Sequence, residues 1–302
     1  MPGLRTTPLT TSIGARVEGV DLAASLDGET QEAIRQALAK HSVLVFRDQP
    51  LSDAQQKRVA AIFGPLQPSP SRKLFGLDEP VRTIERAVFD MTDQGAIPYA
   101  PRREDYQGWH VDDGFCAAIP TAATLRPLSL APEGGDTCWA SMAAAFEGLS
   151  PTMQAWLETL NAVNAAPPNF RATVGFYDLP EEVQRRFDEE QAVRLHPVVV
   201  RHPVTGRRSL FVNPTYTAAI DGLGGRESAN LLRFLFSEAT RPEVVYRHYW
   251  RMGDLVIWDE LATLHRGPEQ FSPERRLVRV YGGLTTPQPA LAAPEPRAAA
   301  VS

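Results

Sequence analysis

Apolar and polar residues follow a helical period near the start of the chain. Between residues 29 and 40 the apolar positions recur every three or four residues, which predicts an amphipathic helix. Residues 42–47 are almost continuously apolar, a pattern typical of a short strand that is buried on both faces. Ser52 is a suitable N-cap, so we expect a second helix from there to about Phe63, where a Gly-Pro pair follows.

Short apolar runs separated by turn residues dominate the remainder of the chain. These runs predict strands at 81–88, 121–130, 193–201, 209–213, 244–250, 255–258 and 276–281. Helical periodicity returns at 141–147, 151–160 and 226–238. Because helices gather in the first quarter and in inserts, the pattern predicts an α+β domain with an antiparallel β-sandwich or barrel at its centre.

Several segments lack a periodic pattern. Residues 67–80 are rich in Pro and Ser and predict a loop, whereas the irregular stretch at 90–107 is expected to form a lid over a site. The polar stretch at 164–190 is expected to be a second mobile insertion. The Pro- and Ala-rich residues 287–302 predict a disordered tail, which leaves residues 1–286 as a single domain.

Composition excludes several classes of protein. The net charge of −5 over 302 residues gives no basic surface for nucleic acid. Apolar runs stay shorter than the roughly 18 residues that a transmembrane helix requires, and the N-terminus lacks the apolar stretch of a signal peptide. Cys116 and Cys138 form no disulfide framework, so we expect a reducing cytoplasm as the location.

One short motif offers a candidate metal site. His110 and Asp112 are two residues apart, so on a strand their side chains project from the same face. His265, far along the chain, is the candidate third ligand. Two histidines and one carboxylate, with open coordination positions, are typical of non-haem Fe(II) oxygenases. Taken alone, a His-x-Asp tripeptide is more often a surface loop or a cap.

A series of motifs occurs in order from about residue 8 to residue 285. They lie at 13–15, 19–22, 44–49, 63–64, 109–112, 134–137, 196–199, 202–207, 210–213 and 253–259. Each motif is weak alone, but the ordered set resembles the taurine/2-oxoglutarate dioxygenase family (TauD/TfdA-like), which includes sulfonate, sulfate-ester and phenoxyalkanoate herbicide oxygenases. The resemblance implies a double-stranded β-helix (jelly-roll) core with flanking helices.

The resemblance also implies a set of ligands. Fe(II) would be held by His110, Asp112 and His265, and 2-oxoglutarate would chelate it through its 2-oxo and C1 carboxylate groups, with O2 as the oxidant. The distal carboxylate of 2-oxoglutarate would meet Thr137 and Arg276, which lies eleven residues after His265. A guanidinium suits this role because it binds a carboxylate with two parallel hydrogen bonds.

The register of that arginine stays open, because Arg275 and Arg279 form an alternative pair. The sequence also departs from the family after the 255–258 strand. Where the family commonly has Trp-Asp-Asn-Arg, this chain has Trp-Asp-Glu-Leu at 258–261, so Glu260 places a charge where an amide normally holds a loop. Asp259 is a candidate to orient a ligand histidine, with a solvated turn as the alternative.

Two anion contacts of the taurine enzymes are missing in the Arg276 register. Ser69 stands nearest to the histidine that contacts the sulfonate, and Val280 occupies the position of a second arginine, so we doubt taurine as the substrate. The expected substrate contacts are Ser69, Tyr106, Phe115, Tyr216 and Arg279. Together with the Arg102-Arg103 pair of the lid, they suit a larger, partly aromatic or apolar molecule.

The resemblance therefore implies hydroxylation of an unactivated C–H bond of a small organic substrate, with decarboxylation of 2-oxoglutarate to succinate and CO2. Two alternatives remain: a desaturase or oxidative-rearrangement enzyme of natural-product biosynthesis, and a non-catalytic metal-binding β-sandwich protein. The expected partners are the small-molecule substrate and further copies of the chain in a dimer or tetramer.

Overall fold

Most helices of the computed structural model begin and end close to where the sequence predicts them. The structure describes residues 3–68, 80–84, 108–167, 171, 176–191, 193–268 and 274–291. The α-helices are α1 (Gly28–His41), α2 (Asp53–Ala60), α3 (Met142–Glu147), α4 (Pro151–Leu157), α5 (Glu181–Gln191) and α6 (Gly225–Ala239). In the part of the chain described, no helix is long and apolar enough to cross a membrane.

Local chemistry explains the first two helices. The Asp27 side chain accepts a hydrogen bond from the Thr30 N–H, and α1 ends where Ser42 adopts a left-handed conformation. In α2, Ser52 and Gln55 form a reciprocal capping box. These caps fix both ends of α1 and the start of α2, the helices before and after the buried strand at 43–46.

Strands make up the centre of the molecule. They are β1 (Arg5–Pro8), β2 (Ala15–Glu18), β3 (Val43–Phe46), β4 (Leu66–Gln67), β5 (Val81–Ile84), β6 (Ile119–Ser129), β7 (Thr137–Ser141), β8 (Asn161–Asn164), β9 (Arg194–Pro197), β10 (Val199–Arg201), β11 (Arg208–Leu210), β12 (Thr217–Ile220), β13 (Val245–His248), β14 (Leu255–Asp259), β15 (Thr263–Arg266) and β16 (Arg276–Thr285).

Eight of the described strands form one large sheet. Its order is β1-β2-β3-β14-β6-β16-β4, with β5 also paired to β16, and all pairs except β2–β3 are antiparallel. A second sheet, β13-β7-β15, packs against it, since Trp139 of β7 lies in one apolar cluster with Trp258 of β14 and Tyr281 of β16. Helices α1 and α2 cover the opposite face through residues such as Ile34 and Val59. The architecture is α+β, as predicted.

Three predictions about segments are wrong. The strand expected at 193–201 is divided at Val198, because β9 pairs with β8 whereas β10 pairs with β11. The expected insertion at 164–190 contains α5, whose Phe187 is fully buried. The start of the expected disordered tail is attached to the fold, since Pro289 pairs with Val200 and Ala290 is buried. The expected lid at 90–107 lies outside the described residues.

Candidate active site

His110 and His265 lie opposite each other in an isolated antiparallel bridge. The His110 N–H donates to the His265 carbonyl at 3.0 Å, and the His265 N–H donates to the His110 carbonyl at 2.9 Å. The two ring centroids are consequently 4.2 Å apart. His265 belongs to β15, a strand that the sequence analysis did not predict.

Asp112 lies in a turn and not on a strand, contrary to the expectation from the two-residue spacing. The left-handed conformation of Asp113 and a hydrogen bond from the Gly114 N–H to the Val111 carbonyl form this turn. It nevertheless directs the Asp112 carboxylate toward both imidazoles: Oδ1 is 3.6 Å from His110 Nε2, and Oδ2 is 3.6 Å from His265 Nε2.

The three side chains suit a divalent metal ion. One ligand atom from each lies within 4.8 Å of the others. His110 Nδ1 lies 2.9 Å from the Gly108 carbonyl, which can only accept, so Nδ1 carries a hydrogen and Nε2 offers its lone pair. Burial, and then the neighbouring His110, hold the pKa of His265 well below its usual value, which keeps the imidazole neutral.

Arg279 and Tyr281 of β16 both donate to Asp112. Arg279 Nη1 is 2.6 Å and the Tyr281 hydroxyl 2.8 Å from Asp112 Oδ2. Burial favours the protonated carboxyl, but Arg279 and both histidines outweigh it and hold the pKa of Asp112 well below its usual value. Asp112 is therefore a carboxylate, and its second oxygen faces His110.

Glu260 lies behind the ligands and is fully buried. Its Oε2 accepts the Asp112 backbone N–H at 3.0 Å, and its Oε1 accepts the Trp258 Nε1–H at 2.8 Å. Burial, and then the Asp112 carboxylate, raise the pKa of Glu260 well above its usual value. A bound divalent cation would act in the opposite direction, because it favours nearby carboxylates over carboxylic acids.

The arginine beside Thr137 is Arg275. Arg275 is 3% exposed, and it donates through Nε to the Gly135 carbonyl at 2.8 Å and through Nη2 to Thr137 Oγ1 at 3.3 Å. Burial lowers its pKa to about 10. Arg276, which the sequence predicted for this place, is instead exposed at the start of β16, because neighbouring side chains of an extended chain point to opposite faces.

This register changes the comparison with the taurine enzymes. The position four residues after Arg275 is Arg279, not Val280, and both arginines point toward the same interior. The predicted loss of the second arginine therefore holds only in the Arg276 register, whereas Ser69 lies outside the described residues.

The aromatic residues expected to contact substrate form a cluster beside the ligands. The Tyr216 ring lies edge-on to His110, with centroids 6.5 Å apart, and Phe115 packs against Tyr216 at 5.0 Å. Phe115 has no exposed surface, because Phe187 of α5 packs on it, so it supports the wall of the site from behind. Tyr106 lies outside the described residues.

Asp259 fits neither of its two expected roles, because its side-chain partners are not the proposed ligands and it is buried instead of solvated. Its Oδ2 lies 2.9 Å from His202 Nε2, and its Oδ1 accepts the N–H groups of Leu261 and Ala262. The contacts of Oδ1 thus close the turn between β14 and β15, which leads to His265.

Comparisons with known proteins agree with this geometry. A family model described as "Taurine catabolism dioxygenase TauD, TfdA family" matches residues 5–281. The chain is 32% identical to an alkylsulfatase of Acinetobacter baylyi, over 92% of this chain and 85% of the relative. It is 33% identical to an alpha-ketoglutarate-dependent 2,4-dichlorophenoxyacetate dioxygenase of Cupriavidus pinatubonensis, over 90% of this chain and 94% of the relative.

Solved structures give the same result. A taurine dioxygenase from Burkholderia xenovorans superposes with a TM-score of 0.75 at 32% identity, covering 93% of this chain and 91% of that one. AAD-2 in complex with Mn(II) and N-oxalylglycine also gives 0.75, at 27% identity, with 94% and 99% covered. The chain therefore belongs to the TauD, TfdA family and is an Fe(II)- and 2-oxoglutarate-dependent dioxygenase that uses O2.

Proposed function

We propose that His110, Asp112 and His265 hold Fe(II), and that the enzyme hydroxylates an unactivated C–H bond of a small organic anion while 2-oxoglutarate is converted to succinate and CO2. The observation that carries this proposal is the convergence of two imidazole nitrogens and one carboxylate on a single point. The bound iron and 2-oxoglutarate supply the oxidising chemistry. The chain's own residues position the substrate and the ligands.

The distal carboxylate of 2-oxoglutarate is assigned to Thr137 and Arg275. Thr137 Oγ1 accepts hydrogen bonds from Arg275 and from Trp250 Nε1, which is 3.0 Å away. Because both lone pairs of the hydroxyl are engaged, its O–H remains to donate to an acceptor. A carboxylate between that O–H and the guanidinium satisfies both groups.

The substrate is assigned an anionic group that meets Arg279. This arginine is 6% exposed and contacts a proposed iron ligand, so a bound anion near it lies close to the iron. Relatives are named for sulfate esters and for 2,4-dichlorophenoxyacetate, and both classes carry an anion on an apolar body. Tyr216 provides an aromatic wall for such a body.

A second outcome, desaturation or oxidative rearrangement in natural-product biosynthesis, is kept because one relative, at 29% identity, is named as a synthase, the pentalenolactone F synthase of Streptomyces avermitilis. A non-catalytic role has no such support, since the relatives are named as enzymes. Product analysis by mass spectrometry separates hydroxylation from desaturation, because hydroxylation adds one oxygen atom whereas desaturation removes two hydrogen atoms.

The core is assigned as a double-stranded β-helix within one domain, and the predicted boundary at residue 286 moves to at least Ala290 because Pro289 and Ala290 are attached to the fold. The two facing sheets and the family match over 5–281 support this assignment. Assembly into a dimer or tetramer and a cytoplasmic location remain predictions; light scattering measures the first.

The first experiment is an anaerobic titration with Fe(II) and 2-oxoglutarate, followed through the visible charge-transfer absorption of the chelate. Wild type is expected to develop this absorption, and His110→Ala is expected to lose it. Succinate release with taurine, an alkyl sulfate and an aryloxyacetate then ranks the substrates. A folded wild type without the absorption would refute the assignment of the iron site.

A further inference from the structure

Glu260 lies where two separate parts of the proposed iron site meet. It follows β14, and its backbone N–H donates to the Thr121 carbonyl at 3.3 Å. Its side chain reaches the Asp112 backbone from one side and lies 3.9 Å from His265 Nδ1 on the other. Glu260 and Asp112 are 148 residues apart in sequence at this contact.

His265 Nδ1 needs a hydrogen-bond acceptor if Nε2 binds a metal. Among the described residues it has no hydrogen-bond partner, although it is buried. When Nε2 of an imidazole binds a metal, Nδ1 carries the hydrogen and usually donates it to a carboxylate or a carbonyl. His110 already has such a partner in the Gly108 carbonyl, and Glu260 Oε2 is the carboxylate oxygen near His265.

We propose that Glu260 is a positioning residue of the iron site, which fixes the Asp112 turn and the His265 imidazole with one carboxylate. The inference rests on the proposed function, because it assumes that these residues bind iron. Trp258 holds the side chain in place through its indole N–H, so Oε2 stays directed at Asp112 and His265.

The chemistry of the side chain makes the proposal testable. Glutamine has the same shape but only one acceptor oxygen, so its NH2 group would face the N–H of either Asp112 or Trp258. Aspartate keeps two acceptor oxygens but is one methylene shorter, so it cannot hold all three contacts. Asp259→Asn is the matched control, since Asp259 is buried in the same turn but bonds His202 and turn amides.

The experiment is an anaerobic titration of each metal-free protein with Co(II), read from its visible d–d absorption, together with thermal unfolding. Glu260→Gln is expected to weaken Co(II) binding by about 10- to 100-fold and to shift the absorption bands. Asp259→Asn is expected to lower the Tm while leaving the bands unchanged. Affinity and bands of wild type in Glu260→Gln would overturn the proposal.

Two further outcomes are distinguishable. If wild type binds no Co(II), the proposed iron site fails, whatever Glu260 does. If Glu260→Gln does not fold, Glu260→Asp decides: reduced affinity with shifted bands supports positioning by Glu260, and wild-type affinity and bands overturn it.

Discussion

Arg279 and Asp112 form a buried ion pair, with Arg279 Nη1 2.6 Å from Asp112 Oδ2. The same carboxylate is the anionic member of the proposed iron site, so the guanidinium compensates its charge before any metal binds. We therefore expect one arginine to have two tasks: it stabilises the folded chain, and under the proposed function it places a positive charge beside the iron for an anionic substrate.

Arg279→Leu is expected to destabilise the metal-free protein by about 3–5 kcal/mol, because Asp112 keeps its charge without a buried partner. Urea unfolding measures this loss. Saturating Mn(II) is expected to offset part of it, since the metal becomes the counter-charge. Arg276→Leu, on the exposed face of the same strand, is the control, with an expected change below about 1 kcal/mol. Equal losses in both variants would contradict this account.

Arg275→Ala is expected to weaken 2-oxoglutarate binding by about 1.5–3 kcal/mol, which is about 10- to 150-fold. The reason is the loss of a charged donor beside Thr137. Arg276→Ala, one residue along, is expected to bind the cosubstrate normally. Anaerobic titration calorimetry measures both affinities, and the reverse order would restore the Arg276 register.

Gly135→Ala is expected to raise the KM for 2-oxoglutarate by displacing Arg275. A Cβ at Gly135 would lie 2.7 Å from Arg275 Cδ, whereas a Cβ at Gly134 would meet nothing within 4 Å. Both glycines have positive φ, +82° and +70°, so each variant carries similar backbone strain of about 1–2 kcal/mol. Gly134→Ala is thus a matched control, and steady-state kinetics that fail to separate the two variants would refute the displacement.

Stability is expected to fall as the pH drops, because of a buried pair near β13. His248 Nε2 lies 3.0 Å from Asp254 Oδ2. Burial lowers the pKa of His248 below 6.5, although Asp254 opposes the shift. Burial acts to raise the pKa of Asp254, but hydrogen bonds from His248, the Arg251 N–H and Arg47 outweigh it and lower the pKa below 3.8.

Both groups bind protons more weakly in the folded state than in the unfolded state. The free energy of unfolding should therefore decrease as the pH falls below 6.5, and decrease further below 3.8. Urea unfolding at several pH values measures the slope. His248→Gln is expected to be less stable at neutral pH but to have a flatter slope between those two values. An unchanged slope would assign the acid sensitivity to other groups.

Much of the site was predictable because its residues lie in recognisable local patterns. His110 and Asp112 share one tripeptide, and Thr137 follows a Gly-Gly-Asp turn. The helices with clear apolar periodicity, α1 and α6, were also predictable for that reason.

Other features depend on contacts that a sequence does not encode locally. Arg275 and Arg276 are adjacent, and a shift of one residue along a strand moves a side chain to the opposite face. The partner of Glu260 is the backbone of a turn 148 residues away, and no periodicity indicates it. The strands β8 and β15 mix polar and apolar residues, so they lack the continuous apolar run by which the equally short β3 was recognised.

The backbone bridge between His110 and His265 has a consequence for how the protein handles loss of its metal. Because two peptide hydrogen bonds hold these residues together, the imidazoles are aligned by the chain itself and do not depend on the ion for their alignment. Treatment with a chelator should therefore yield a folded apoprotein that regains full activity when Fe(II) is returned. During intermittent iron scarcity the enzyme would therefore persist as a folded apoprotein that can rebind Fe(II), instead of unfolding.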